Sequence, residues 1–263
     1  MRNRIFVPAV SGDATGKYTF GRFIWHDLLT DDVASAREFY RALFGWEFKG
    51  RGGDDAPYLT AYMDDIPVAG IVKSDPLESG KSESRWIGYI SVADINHSVG
   101  QILSLQGIVF MPPRELSERG MVALAGDPRG AYFGLITTRE GDPEEGEVPL
   151  NGWLWNELMS TDPDTVVDFY RAVFDYIPEK NNENYILLKT GNKEQAGITQ
   201  ISIDHDTAVW LPYLRVADLT QVLTRAESLG GKTIFDPRIQ SSKRSAAVLA
   251  DPTGAIFGVQ EWP

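Results

Sequence analysis

Two short stretches carry the side chains best suited to chemistry. Trp25-His-Asp27 and Trp155-Asn-Glu157 each place an indole two residues from a carboxylate, and the two stretches lie 130 residues apart. Residues two apart on a strand share a face, so each carboxylate sits beside an indole. A carboxylate kept away from water holds its proton to higher pH and can serve as a general acid or base near neutrality. Asp27 and Glu157 are therefore the candidate catalytic residues. The alternative role for each is to cap neighbouring backbone or to pair with an arginine. Trp25 and Trp155 are candidate ligand-binding platforms and equally good core residues. Tyr89 and Tyr213 recur at an offset of 124 and are candidate ligand contacts, with amphipathic core tyrosine as the competing role.

Other chemistry is sparsely supplied. The chain has 263 residues, three histidines and no cysteine. Thiol nucleophiles, disulfides and Cys-type zinc sites are thereby excluded. His26 has a one-residue slip from the strand face of Trp25 and is matched by Asn156, so it is read as a packed histidine. His97 falls on a helix and His205 in a loop. Gly-rich phosphate loops and a Gly-x-Ser-x-Gly elbow are absent. A formal charge of −12 disfavours nucleic acid as a partner. Arg119 and the pair Lys243-Arg244 read as exposed cations. The apolar run Ile5–Val10 is broken by Pro8, too short for a secretory signal, and reads as a mobile or strand-like leader. With no apolar stretch long enough to span a bilayer, a cytoplasmic location is the expectation.

The elements that position these residues come from an internal duplication. Phe39-Tyr40 matches Phe169-Tyr170 and Phe44 matches Phe174 at the offset of 130. Tyr58 and Gly70 match Tyr185 and Gly197 at 127, and Trp86 matches Trp210 at 124. Asp127-Pro128 and Gly130 match Asp251-Pro252 and Gly254, again at 124. Two short loop deletions account for the falling offset. The acidic stretch Arg139–Pro149 reads as a linker, which places one domain at 18–139 and a second at 150–263. Each half divides again. Ile24–Thr30 is strand-like, Asp31 or Asp32 caps a helix, and Val33, Ala36, Phe39, Tyr40 and Leu43 fall at helical spacing before Gly45. Pro163 belongs in the first turn of the matching helix. A second helix runs from about Asp94 to Gln106 with Gly107 as its stop, and its counterpart runs from Asp218 to about Leu229. Met121–Ala125 and Tyr132–Thr137 are strands joined by the Asp-Pro-x-Gly turn. The pattern is βαβββ, four times over.

A strand, a helix ending in Phe-Tyr, a Phe-Gly-Trp tail and a closing Asp-Pro-x-Gly hairpin, repeated in order, resemble the vicinal oxygen chelate superfamily. Glyoxalase I, bleomycin-resistance proteins and extradiol dioxygenases belong to that group. The likeness runs from about Gly21 to Trp262. It is nearest to tandem glyoxalase-like proteins with a Trp-x-Glu-Leu opening, which Trp155–Asp162 follows with one extra residue. The resemblance implies an α+β fold of four βαβββ units forming two half-open barrels around clefts. Metal-using members are implied to hold a divalent cation from the first strand of a unit and from a carboxylate four residues after the Asp-Pro-x-Gly glycine. Those positions fall here on Trp25, Ile87, Trp155, Leu211, Gly134 and Gly258, none of which suits such a cation. The expectation is no bound metal and no cofactor. It is a glyoxalase-like protein that takes a small, partly apolar molecule in one or both clefts. The alternative is a lyase-, isomerase- or dioxygenase-type enzyme using Asp27 and Glu157 or a metal. A scaffold with side-chain-filled clefts is the third possibility. Four units complete two clefts within one chain, so a monomer or a homodimer is expected, with no membrane partner.

Overall fold

The structure is a computed structural model that describes residues 7–10, 14–51, 53, 56–74, 84–202, 208–236 and 246–262. The βαβββ pattern appears four times. The first module is β1 (Phe23–Thr30), α1 (Val33–Phe44), β2 (Glu47–Lys49), β3 (Tyr58–Met63) and β4 (Ile66–Lys73). The second is β5 (Arg85–Ser91), α2 (Ile95–Ser104), β6 (Ile108–Leu116), β7 (Gly120–Gly126) and β8 (Tyr132–Thr138). The third is β9 (Trp153–Ser160), α3 (Pro163–Phe174), β10 (Ile177–Asn182), β11 (Tyr185–Thr190) and β12 (Lys193–Gln200). The fourth is β13 (Val209–Val216), α4 (Leu219–Ser228), β14 (Lys232–Phe235), β15 (Ala246–Ala250) and β16 (Ile256–Glu261).

The strands form two mixed eight-stranded sheets, ordered β2-β3-β4-β1-β5-β8-β7-β6 and β10-β11-β12-β9-β13-β16-β15-β14. Within each module the first and last strands run parallel and the rest antiparallel, as β1 with β4 and β13 with β16. The first and last strands of each sheet are not neighbours, so neither sheet closes into a barrel. The architecture is α+β.

Helix ends follow local chemistry. Asp32 caps α1 by accepting the Ser35 backbone N–H at 3.0 Å. Gly45 ends that helix with φ of 73°, and its repeat mate Asp175 takes φ of 56°. Pro163 fills the first turn of α3, where a missing N–H costs nothing. One stop differs from expectation. After α2 the left-handed residue is Gln106, with φ of 63°, whereas the mate Gly230 does the same after α4. Gly107 instead donates its N–H back to the Ile102 carbonyl.

The chain separates into two compact units, and each draws on both halves of the sequence. Unit one comprises residues 1–25, 87–144 and 155–211; unit two comprises 26–86, 145–154 and 212–263. Unit two has one core, in which Leu28, Phe39, Tyr40, Trp46 and Trp86 meet Leu214, Leu223 and Phe257. Unit one has its own, in which Ile90, Ile102 and Phe133 meet Leu158, Phe169, Tyr170 and Trp210.

Each core carries the same buried polar relay. In unit two, Trp86 Nε1–H donates to Tyr40 Oη at 2.8 Å, and Tyr40 donates to Asp251 Oδ2 at 3.0 Å. In unit one, Trp210 donates to Tyr170 at 2.7 Å and Tyr170 to Asp127 at 3.1 Å. The other carboxylate oxygen holds the Asp-Pro-x-Gly turn: Asp127 Oδ1 accepts from Arg129 and Ala131 N–H, and Asp251 Oδ1 from Thr253 and Ala255 N–H. Burial pushes both carboxyl groups above the ordinary aspartate range, against the pull of these hydrogen bonds. Burial first, and the facing carboxylate second, push the Tyr40 and Tyr170 hydroxyls well up as well.

Two segments outside the modules make contacts that their sequence did not reveal. The acidic stretch is anchored in unit one by Asp142, which is 2% exposed. That carboxylate accepts from Thr19 N–H, Ser91 Oγ and Thr138 Oγ1. Of the leader, the described residues 7–10 form no strand, yet Val7 and Val10 are buried.

Candidate functional site

One construction recurs in all four modules. The last strand carries a glycine opposite the first strand, and a tyrosine lies over that glycine. In the first module Asp27 pairs in register with Gly70. Tyr58 reaches over from β3 and donates to Asp27 Oδ1 at 2.7 Å. A Cβ on Gly70 would lie 2.1 Å from the Tyr58 hydroxyl and 2.2 Å from Asp27 Oδ1, so only glycine fits. Asp27 is 3% exposed. The third module repeats the plan with Glu157 opposite Gly197 and the Tyr185 hydroxyl 2.2 Å from the glycine's would-be Cβ. Glu157 Oε1 there accepts the Thr199 hydroxyl.

In the second and fourth modules the tyrosine comes from the first strand itself. Tyr89 pairs with Gly134 and Tyr213 with Gly258. A Cβ would meet the Tyr89 ring at 2.2 Å and the Tyr213 ring at 2.3 Å. Both tyrosines are 7% exposed, held flat against backbone. Gly134 and Gly258 are the positions from which metal-using relatives are implied to offer a carboxylate. Here an aromatic ring fills that space.

The tryptophans have unlike surroundings. Trp25 belongs to unit one and is 2% exposed. The Arg119 guanidinium lies over its ring, 4.1 Å from the centroid. Arg119 was expected to be an exposed cation; it is 2% exposed, and its Nε–H donates to the Pro8 carbonyl at 3.1 Å. Asp27, two residues on from Trp25, belongs to unit two. Trp155 and Glu157 both lie in unit one and are half-buried, so water reaches them. His26 stacks on Trp153 with ring centroids 4.3 Å apart and is 2% exposed, a packed histidine. His97 is exposed on α2. His205, Lys243 and Arg244 lie outside the described residues.

Among the described residues, no three His, Cys, Asp or Glu side chains gather as a cation site. Trp25, Ile87, Trp155, Leu211, Gly134 and Gly258 carry neither imidazole nor carboxylate, and the buried Ile87 and Leu211 are core. A polar depression of about 270 Å³ in unit one is lined by Asp162, Lys180, Glu183, Asn184 and Gln200 and includes none of the candidate residues. Among the described residues, no helix is long and apolar enough to cross a membrane.

Sequence reasoning found the repeated tyrosines and glycines without the reason for them. Their signal was that each tyrosine–glycine pair kept one offset. Arg119 had no comparable signal, because its burial depends on a segment far away in sequence.

The paired parallel strands, the four modules and the two open sheets define a tandem glyoxalase-like protein. The chain is 31% identical over 257 residues to the putative glyoxylase CFP32 of Mycobacterium bovis, covering 92% of this chain and 95% of that protein. It is 29% identical over 279 residues to the anthracycline biosynthesis protein DauV of Streptomyces sp. strain C5, covering 93% of this chain and 94% of the relative. The Mn(II)-bound glyoxalase from Novosphingobium aromaticivorans matches with a TM-score of 0.64 at 12% identity, over 92% of this chain and 82% of that one. The 2,3-dioxygenase LapB from Pseudomonas sp. KL28 matches at 0.61 and 14% identity, over 93% of both chains. No protein-family model matches the chain. The chain therefore belongs to the two-domain glyoxalase-like proteins of the vicinal oxygen chelate superfamily.

Proposed function

We propose that this chain is a metal-independent member of the superfamily that binds a small, partly apolar organic molecule. The observation that carries the reading is the filling of the implied ligand positions. Gly134 and Gly258 lie under the Tyr89 and Tyr213 rings, and Trp25 and Trp155 stand where first-strand ligands would be. An indole and an aliphatic side chain supply apolar contact but no donor for a hard cation. The water-accessible surface for a ligand is offered by Trp155 and Glu157 in unit one. An aromatic wall with one carboxylate suits a molecule with an apolar body and a hydrogen-bond donor. The curated relatives, one named as a glyoxylase and one for anthracycline biosynthesis, support a small organic ligand.

A second reading has its own observation. Glu157 lies two residues after Trp155 on β9, on the same strand face, and accepts a hydroxyl from Thr199, an arrangement that can orient a carboxylate for proton transfer. A lyase- or isomerase-type reaction would then use Glu157 as the base, with Asp27 as its repeat counterpart.

Metal analysis and ligand screening test both. Dialysed protein is expected to hold no stoichiometric Mn, Fe, Ni or Zn, and a metabolite panel is expected to raise the melting temperature for at least one aromatic compound. Stoichiometric metal that survives dialysis sinks the metal-independent reading. Turnover of a screened ligand that is lost in Glu157→Gln, with binding retained, would favour the enzyme.

A further inference from the structure

The tryptophans that mark the repeat differ in one respect. Trp25 is 2% exposed, while Trp155 is half-buried. The difference traces to what covers Trp25 inside unit one. Arg119 stacks on the indole at 4.1 Å and is itself 2% exposed. A guanidinium on an indole is a familiar platform for a planar anion. The flat cation offers in-plane N–H donors, and the aromatic ring holds it flat. In this chain the Arg119 Nε–H donates to the Pro8 carbonyl at 3.1 Å.

Pro8 belongs to none of the four modules. It lies on the segment Val7–Val10, ahead of β1. That segment is tied down close to the guanidinium. Val7 N–H donates to Ser117 Oγ at 3.0 Å, and the Val7 carbonyl accepts the Glu118 N–H at 3.3 Å. Val7 is 1% exposed and Val10 4%. The segment thus supplies an oxygen to the guanidinium and carries two buried apolar side chains, one on each side of Pro8 in sequence. A ligand with a carboxylate and a flat apolar body would supply the same groups.

We infer that Val7–Val10 is a built-in plug on an Arg119–Trp25 site for a planar organic carboxylate, with the Pro8 carbonyl standing in for a carboxylate oxygen. The inference rests on the small-molecule reading but assigns a different site, a ligand class and a gate. While the plug is seated, ligand must compete with an intramolecular group at high effective concentration. Removing the plug exposes the platform.

The test uses 1-naphthoate, followed by tryptophan fluorescence and calorimetry, on the full chain and on a chain lacking residues 2–10. The shortened chain is expected to bind naphthoate about tenfold or more tightly than the full chain, a difference that affinity measurements resolve easily. Arg119→Gln in the shortened chain is expected to abolish the gain, and a peptide of residues 1–10 is expected to compete. Where the shortened chain fails to fold, as judged by its melting curve, Ser117→Ala in the full chain replaces it. Cutting that anchor is expected to tighten binding severalfold. Equal affinity with the plug present and loosened overturns the inference, as does a gain that survives Arg119→Gln. Trp155→Phe separates the two readings. Naphthoate binding that needs Trp155 and ignores the leader leaves the proposed function standing and removes the plug. Binding that appears only on plug removal, needs Arg119 and ignores Trp155→Phe supports the plug and moves the ligand site from Trp155 to Arg119.

Discussion

Tyr40 donates its hydroxyl proton to Asp251 Oδ2 at 3.0 Å across 211 residues of sequence. The same hydroxyl accepts the Trp86 indole N–H at 2.8 Å. One oxygen therefore joins the helix of the first module to the hairpin turn of the fourth, inside unit two. Tyr170 does the same between Trp210 and Asp127 in unit one.

Removing that oxygen strands two buried polar groups. Tyr40→Phe leaves the Trp86 N–H and the Asp251 oxygen without it while the ring still fills its space. An unsatisfied buried group costs about 1–3 kcal/mol, and two are left. The expected loss of unfolding free energy is at the upper end of that range, and Tyr170→Phe should match it. Urea denaturation measures both. A loss under about 0.5 kcal/mol, the level of an ordinary surface change, would show that the relay contributes nothing.

The relay also sets a pH dependence of unusual sign. Burial raises the folded-state values of Asp127 and Asp251 above the ordinary 3.8. Between the unfolded and folded values, the native state holds more protons, so stability falls as pH rises. The contribution is fully present below the unfolded value and is lost as pH passes through the folded one. Wild type should therefore lose ground to Asp251→Asn as pH rises from about 4 through the folded value, because asparagine has no proton to give up. Urea melts across that range provide the check. A wild-type advantage that grows with pH would mean that hydrogen bonding outweighs burial at this carboxylate.

The tyrosine-covered glycines predict a steric cost. In Gly134→Ala the new methyl would start 2.2 Å from the Tyr89 ring, and in Gly258→Ala 2.3 Å from the Tyr213 ring. Overpacking of this kind costs about 1–3 kcal/mol. Tyr89→Ala opens the space, so the double variant Gly134→Ala/Tyr89→Ala should lose less than the sum of the singles. Additive losses would mean that the ring does not press on that glycine.

The module order was legible because periodicity and capping are local. Asp32, Pro163 and the Asp-Pro-x-Gly turns each satisfy backbone groups within a few residues, so chain order alone exposes them. The repeat likewise exposed Tyr40, Trp86 and Asp251 as matched residues. Their joining into one hydrogen-bonded chain was hidden, because 211 residues separate its ends and no spacing rule connects them. Gln106 was missed for the opposite reason. A neighbouring glycine looked like the natural left-handed residue, yet the helix ends with the Gly107 N–H bonded back to the Ile102 carbonyl, which puts that conformation one residue earlier. At the candidate site, the pairing of Asp27 with Glu157 was legible as type and offset. Their unlike exposure was not, since burial depends on what the rest of the chain lays over each strand.

That unlike exposure yields a comparison between two hydroxyl–carboxylate pairs. Tyr58 donates to Asp27, which is 3% exposed, and Thr199 donates to Glu157, which is half-buried. Deleting a hydroxyl beside a buried carboxylate removes a donor that water cannot easily replace, a cost of about 1–3 kcal/mol. Deleting one beside an accessible carboxylate lets water take its place, and the net bond is worth about 1 kcal/mol or less. Tyr58→Phe is therefore expected to destabilise the protein clearly more than Thr199→Val, as measured by denaturant midpoints at constant slope. For ligand binding the order should reverse. Thr199→Val removes one hydroxyl from the Glu157 carboxylate and should alter the affinity of whatever binds against Trp155, while Tyr58→Phe should leave that affinity unchanged. Equal stability losses would remove the distinction between a buried Asp27 and a half-buried Glu157. Loss of ligand affinity in Tyr58→Phe alone would move the binding site to unit two.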